Sequence, residues 1–115
     1  STPPQPTPER PHVHNRGQIR FQPGAVEARV RGYLSSRDVD AYTFVAYAGQ
    51  PAKIILSGNR GEVQLRLRSP QGNIISSPGE TFWNGNLPYS GTYHLKIVAG
   101  NQPEGYSLSV EIDPN

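Results

Sequence analysis

The stretch Gly91-Thr-Tyr-His-Leu-Lys-Ile-Val98 alternates apolar and polar side chains. If the chain is extended there, Tyr93, Leu95 and Ile97 point to one side, and His94 and Lys96 point to the other. A period of two is typical of a β-strand with one buried and one solvated face, because successive side chains of a strand lie on opposite sides. This stretch therefore predicts an amphipathic strand of an antiparallel sheet.

The same alternation recurs along most of the chain, and turn residues interrupt it about every ten residues. No window has the helical spacing i, i+3, i+4, i+7. The sequence therefore predicts an all-β fold, namely an antiparallel, jelly-roll-like β-sandwich of eight or nine short strands without a substantial helix. The main apolar runs are Val26, Ala28, Val30; Tyr42, Phe44, Ala46; Val63, Leu65, Leu67; and Tyr106, Leu108, Val110, Ile112.

Prolines and glycines divide the chain of 115 residues into two parts. Five of the 12 prolines fall within the first 11 residues, whereas all 12 glycines occur from Gly17 onward. Proline removes a backbone donor and biases its predecessor toward extended geometry. We therefore predict a Pro-rich flexible tail over residues 1–17 and one β-sandwich domain over residues 18–113. Such a spacer is typical of a secreted or periplasmic protein whose signal peptide has been removed.

Composition and charge exclude several classes of function. The absence of cysteine excludes thiol catalysis, Cys-based metal sites and disulfides. A net charge of +2 without a dense basic stripe does not indicate a nucleic-acid partner. No apolar run approaches the roughly 18 residues of a membrane span. His94 is the single histidine outside the predicted tail, and no Gly-x-Ser-x-Gly motif occurs, so we predict that the chain is not an enzyme.

Two pairs of residues could hold a metal ion. Asp38 and Asp40 lie on the same side of an extended segment, and carboxylate oxygens suit calcium. The alternative is a structural turn, which is favoured because calcium takes roughly six to eight oxygen ligands. His12 and His14 could chelate a transition metal, although a mobile pair of ligands binds weakly. No other cofactor is predicted.

Six cationic side chains are expected to point outward from their strands. If the strands are neighbours, these side chains form a patch for an acidic polymer or protein. The alternative is ordinary solvated faces that Glu27, Glu62 and Glu111 balance. The six are Arg29, Arg31, Arg66, Arg68, His94 and Lys96.

Aromatic residues occur in or beside the predicted loops. Trp83 and Tyr89 are the main candidates, and Tyr33 and Phe82 are further aromatic residues of this kind. Exposed rings provide platforms on which sugars stack, so glycan binding is one hypothesis for this set. Buried packing of Trp83 is the alternative.

Four motifs spread over residues 18–112 make a recognisable pattern. They are Ile19-Arg-Phe-Gln-Pro-Gly24; Gly32-Tyr-Leu followed by Asp38-Val-Asp40-Ala-Tyr42-Thr-Phe44; Leu67-Arg-Ser-Pro70-Gln-Gly72; and Trp83-Asn-Gly85 through Gly91-Thr-Tyr93 with Gly105-Tyr106-Ser-Leu108. The pattern resembles bacterial pre-peptidase C-terminal domains and the related periplasmic inhibitors of g-type lysozyme. The resemblance implies a small exported sandwich without catalytic groups. Some related modules bind matrix polymers or calcium, and the inhibitors block a muramidase cleft with a surface loop.

These considerations lead to three hypotheses for function. The first is a non-catalytic exported binding or accessory domain that contacts a protein or an extracellular polysaccharide or matrix polymer. The alternatives are a periplasmic inhibitor of a g-type lysozyme or other secreted hydrolase, and a glycan-binding module. The inhibitors carry an Arg-rich stretch after the strand that contains Tyr93, whereas Val98–Gly105 contains no arginine here. Arg60, Arg66 and Arg68 are the candidates to supply cations elsewhere.

Overall fold

The computed structural model describes residues 13–21, 26–76 and 79–113, and these residues form a β-sandwich. Within these ranges there is no helix, and so none with the length and apolar character of a membrane span. The predicted all-β antiparallel sandwich is confirmed. Its eight strands are β1 (Val13–Gln18), β2 (Glu27–Leu34), β3 (Val39–Ala46), β4 (Pro51–Gly58), β5 (Gln64–Arg68), β6 (Phe82–Asn86), β7 (Gly91–Val98) and β8 (Glu104–Ile112).

The strands form two four-stranded sheets. Sheet A has the order β1-β3-β7-β5, and sheet B has the order β2-β8-β4-β6. Every neighbouring pair is antiparallel except β1 and β3, which run parallel. Most neighbours in space are remote in sequence, so the loops between strands cross from one sheet to the other and gather at the two ends of the sandwich.

The predicted alternation places the core between the two sheets. Leu65, Leu67, Leu95 and Ile97 are fully buried, as their positions in the alternating runs predict. Phe44 and Tyr93 lie opposite each other in register, and their rings stack with centroids 5.3 Å apart. Burial of a side chain of this size contributes about 1.5–3 kcal/mol to the stability of the domain. Apolar packing therefore supports the fold without a disulfide.

Strand β1 differs from the sequence-based prediction, which placed residues up to 17 in a flexible tail. All six residues of β1 are exposed, so the segment lacks the apolar alternation that identifies a strand. Its backbone pairs with the edge of β3, and Gly17, with φ of 89°, takes up an irregularity in the register. Two side-chain bonds add to this pairing. Arg16 bonds to Asp40 of β3, and His14 bonds to Asp38, which directly precedes β3. Residues 1–12 lie outside the described residues, so the rest of the tail remains a prediction.

Candidate functional site

Asp40 is a buried carboxylate in a chain of hydrogen bonds that joins β1, β3 and β8. Arg16 Nε donates to Asp40 Oδ1 at 2.9 Å, and the Tyr106 hydroxyl donates to Oδ2 at 2.5 Å. The hydroxyls of Tyr42 and Tyr106 lie 2.6 Å apart. Because Tyr106 gives its proton to Asp40, Tyr42 is the donor in this last bond. Asp40 is 0 % exposed, and each of its oxygens has a donor.

The environment of this network keeps both tyrosines protonated. Burial raises the pKa of Tyr42 and of Tyr106 above the ordinary value of about 10. The ring of Tyr106 packs on Gly32, where an added Cβ would overlap the ring. The network thus fixes the position of β1 and the entry of β8 into sheet B, which is a structural role.

Asp38, the other predicted calcium ligand, bonds to β1 instead of sharing a site with Asp40. His14 Nε2 lies 3.2 Å from Asp38 Oδ2 at the surface. Among the described residues, no group of three or more His, Cys, Asp or Glu side chains is arranged to hold a metal ion. Both carboxylates thus have protein partners, namely His14, Arg16 and Tyr106, and calcium binding by this pair remains a prediction. His12 lies outside the described residues, so its pairing with His14 remains a prediction.

A calcium titration tests these two roles. If Asp38 and Asp40 act only through Arg16, His14 and Tyr106, the melting temperature is expected to stay within about 1 °C when millimolar calcium replaces EDTA. A bound ion stabilises the folded state by RT ln(1 + [L]/Kd), which amounts to about 2.7 kcal/mol at a hundredfold excess over Kd. A rise of several degrees that Asp38→Asn abolishes would instead establish a calcium site.

One end of the sandwich carries exposed tyrosines on a rigid pair of loops. We call residues 47–50 and 87–90 the tyrosine end. Gly49 N donates to the carbonyl of Leu87 at 2.7 Å, and Leu87 N donates to the carbonyl of Gln50 at 2.9 Å. The Tyr93 hydroxyl donates to the Tyr89 carbonyl at 2.6 Å and accepts from its N–H at 2.9 Å. Tyr47 and Tyr89 remain 66 % and 41 % exposed.

The opposite end gathers three loops around a second buried carboxylate. We call residues 35–38, 59–62 and 99–103 the arginine end, because Arg37 and Arg60 are exposed there. Glu104 is 2 % exposed, and its carboxylate accepts the backbone N–H groups of Arg60 and Gly61, both at 2.9 Å, and of Glu62 at 3.2 Å. Arg37 N donates to the Gly100 carbonyl at 2.9 Å. These bonds hold the three loops in one arrangement.

Sequence reasoning missed the contribution of Glu104 and Arg37. The segment Val98–Gly105 looks like a loop without arginine, and nothing in its residue types signals a buried carboxylate. Two arginines on other loops lie beside this segment: Arg37 of the β2–β3 loop, whose N–H bonds to Gly100, and Arg60 of the β4–β5 loop, whose N–H bonds to Glu104. Of these two residues, Arg60 is among the cations that the sequence predicts.

The predicted cationic patch divides between the two outer faces of the sandwich. Arg66 lies opposite Lys96, and Arg68 opposite His94, on the outer face of sheet A. Arg29 and Arg31 lie on β2 at the outer face of sheet B. Alternation along a strand says which side chains point outward, but it does not say in which sheet the strand lies.

The aromatic candidates also lie apart. Trp83 is partly buried against the core, and its Nε1 donates to the Ile75 carbonyl at 3.2 Å. Phe82, its neighbour on β6, faces outward and is 44 % exposed, whereas Tyr89 belongs to the tyrosine end. The packing of Trp83 corresponds to the structural alternative, and glycan binding remains a prediction for the exposed rings.

A shallow groove lies on the outer face of sheet B, along the small side chains of β8. Ser107 and Ser109 form its floor, and Arg29, Arg31 and Ile55 border it. Its volume of about 180 Å³ is below the roughly 300–1,000 Å³ of typical small-molecule sites. The groove is therefore not an enclosed substrate pocket.

Comparison with known proteins gives matches at the level of three-dimensional structure. No family model matches the chain, and no curated protein sequence matches it. PliG from Aeromonas hydrophila, a periplasmic lysozyme inhibitor of g-type lysozyme, is 25% identical and superposes with a TM-score of 0.79 over 90% of this chain and 100% of that chain. A mutant of the Escherichia coli PliG is 22% identical, with a TM-score of 0.68 over 87% of this chain and 99% of that one.

A second kind of protein shares the same fold. The pre-peptidase C-terminal domain of a collagenase from Bacillus anthracis is 21% identical and has a TM-score of 0.64, over 90% of this chain and 100% of that chain. The predicted resemblance to pre-peptidase C-terminal domains and to g-type lysozyme inhibitors is thus confirmed in the fold. Both kinds of neighbour are β-sandwiches.

Proposed function

We propose that this chain is a periplasmic or secreted inhibitor of a g-type lysozyme and has no catalytic activity of its own. The superposition on the Aeromonas hydrophila inhibitor carries the proposal, because it spans 100% of that inhibitor at a TM-score of 0.79. A fold alone does not determine function, so the surface that makes the contact must be argued from the residues.

The arginine end is the surface that fits the cleft of such an enzyme. Glycoside hydrolases work with a pair of carboxyl groups in the cleft, and an arginine pairs with a carboxylate through two parallel N–H···O bonds. Arg37 and Arg60 stand on loops that the Glu104 carboxylate and the Gly100 carbonyl hold in place. Preorganised loops lose little conformational entropy on binding, which favours affinity.

Inhibition of cell-wall lysis tests the proposal. We expect the protein to abolish lysis by a g-type lysozyme at close to one equivalent. The double variant Arg37→Ala/Arg60→Ala should need at least a tenfold higher concentration for half-inhibition, because the loss of each arginine removes part of the charge complementarity to the cleft. The matched control is Arg29→Ala/Arg31→Ala, which removes the same charge from sheet B and should stay within about threefold of the unmodified protein.

Two results separate the parts of this proposal. Undiminished lysis in a tenfold excess of folded protein contradicts the inhibitor function itself. If inhibition is intact in the arginine variant but lost in Tyr47→Ala/Tyr89→Ala, the protein inhibits through the tyrosine end, and the assignment of the arginine end is wrong. Exposed tyrosines on rigid loops are common anchors of protein interfaces, so this variant is the informative comparison.

A further inference from the structure

The outer face of sheet A carries a compact group of cations that the inhibitor function does not use. In register, Arg66 is the neighbour of Lys96, and Arg68 is the neighbour of His94. Cross-strand neighbours have Cβ atoms about 5 Å apart, and same-face residues along a strand are about 7 Å apart. The four side chains therefore form a small rectangle, which we call the cationic face.

No acidic side chain balances this group from within the sheet. Strands β1, β3, β5 and β7 contain one acidic residue, Asp40, which is buried and bonded to Arg16 and Tyr106. Within the described part of the chain, no ion pair includes Arg66, Arg68 or Lys96. Arg68 has a bond to a neutral group, the Gly72 carbonyl, at 3.1 Å.

The outer face of sheet B shows the usual arrangement of charges. Arg29 Nε lies 2.6 Å from Glu27 Oε1, and Lys53 of β4 is the register partner of Glu111 on β8. Like charges directly opposite each other in a sheet are unfavourable, and opposite charges are favourable. Sheet B also places Glu27 opposite Glu111, but Arg29 and Lys53 lie beside these carboxylates, so its outer face carries both signs of charge. The cationic face of sheet A has no such countercharge within its strands.

We propose that the cationic face binds a linear, phosphate-bearing polymer. Arginine guanidinium groups match phosphate geometry, and several cations on an open flat surface suit an extended anion better than a single small one. The one ring on the face is the His94 imidazole, and Tyr42, Phe44 and Tyr93 of the same sheet are buried. The face therefore offers no row of rings for successive bases, which does not favour nucleic acid. Ile74, the bridge partner of Arg68, and Val45 of β3 are exposed nearby, but such isolated aliphatic side chains do not make the broad apolar face with which proteins enter a lipid interface.

Binding to inorganic polyphosphate of defined length, followed by fluorescence anisotropy of the labelled polymer, tests the proposal. With three fixed cations engaged, the binding constant should fall about fourfold for each doubling of the salt concentration. Arg66→Gln/Lys96→Gln should bind at least tenfold more weakly. Arg29→Gln/Arg31→Gln removes the same charge from the opposite face and should stay within about twofold.

Other outcomes overturn the proposal. Equal losses in the two variants would mean that net charge alone attracts the polymer. Binding to vesicles with anionic lipid in the absence of binding to polyphosphate would assign the face to a membrane surface.

Lysis inhibition by Arg66→Gln/Lys96→Gln should equal that of the unmodified protein, so the result is independent of the lysozyme proposal. The melting temperature of this variant should be unchanged or higher, which shows that it folds.

Discussion

Glu104→Ala is expected to lower the free energy of unfolding by about 3 kcal/mol, the cost of leaving buried donors without an acceptor. Three backbone N–H groups, of Arg60, Gly61 and Glu62, donate to this one carboxylate, which is 2 % exposed. For a domain of this size, the melting temperature should fall by roughly 12 °C. Gln at this position keeps one acceptor oxygen, so Glu104→Gln should melt between Glu104→Ala and the unmodified protein.

A second glutamate of β8 provides the control. Glu111 lies on the outer face of sheet B opposite Lys53, and Glu111→Ala should change the free energy of unfolding by less than about 0.5 kcal/mol. Chemical denaturation measures both variants under one protocol. A Glu104→Ala protein that melts within 2 °C of the unmodified chain would contradict the anchoring role.

The same variant links stability to the proposed function. Without the carboxylate, the loop of residues 59–62 loses the bonds that set its shape, although the strands around it persist. The Glu104 carboxylate also packs so closely on Gly58 that a Cβ there would overlap it. At a temperature where the variant is fully folded, we therefore expect weaker lysozyme inhibition than its folded fraction alone predicts.

Asp40→Ala is the second change with a large expected effect, about 3–4 kcal/mol of unfolding free energy. It takes the acceptor from Arg16 and from Tyr106, and it leaves two buried tyrosine hydroxyls with only each other. Arg16→Ala should cost less, because this side chain is 45 % exposed and solvent screens its charge. In either variant, the amide protons of β1 should exchange faster with solvent, because the strand loses the side-chain bond between Arg16 and Asp40.

A double-mutant cycle separates the ion pair from the rest of the network. If Arg16 and Asp40 act as a pair, the cost of Arg16→Ala/Asp40→Asn should be at least about 1 kcal/mol below the sum of the single costs. His14→Ala breaks the exposed contact to Asp38 and should cost no more than about 1 kcal/mol. Strict additivity of Arg16→Ala and Asp40→Asn would contradict the coupling.

The sequence predicts the strands that bury one face and misses the one that buries none. Leu65, Leu67, Tyr93 and Leu95 alternate with polar residues, and they lie in the core as expected. Strand β1 has one apolar side chain, the exposed Val13, and needs no buried face because an edge strand can be held by backbone pairing and by bonds from its side chains. Such a strand has no periodic signal, and five early prolines obscure it further.

The candidate sites were harder to predict, because they depend on which strands become neighbours. Period two places Arg66 and Arg29 on outer faces but does not say that the faces are opposite ones. Asp38 and Asp40 follow the spacing of a shared site, yet each bonds to a side chain of β1, 24 residues away in sequence. Asp40 also accepts a bond from Tyr106 of β8, 66 residues away. Glu104 bonds to residues more than 40 positions earlier, so no local pattern reveals it.

The position of β8 in sheet B has a consequence for how the chain folds. Strand β8 lies between β2 and β4, and its partners on β2 begin at Glu27, opposite Glu111. Until β8 has left the ribosome or the translocation channel, β4 and β6 are the one pair in this sheet that can form. Pairing of strands that are remote in sequence, such as β2 and β8, closes a long stretch of chain, and folds with many such pairs form slowly. Sheet B can therefore close only after the last strand of the domain has become available.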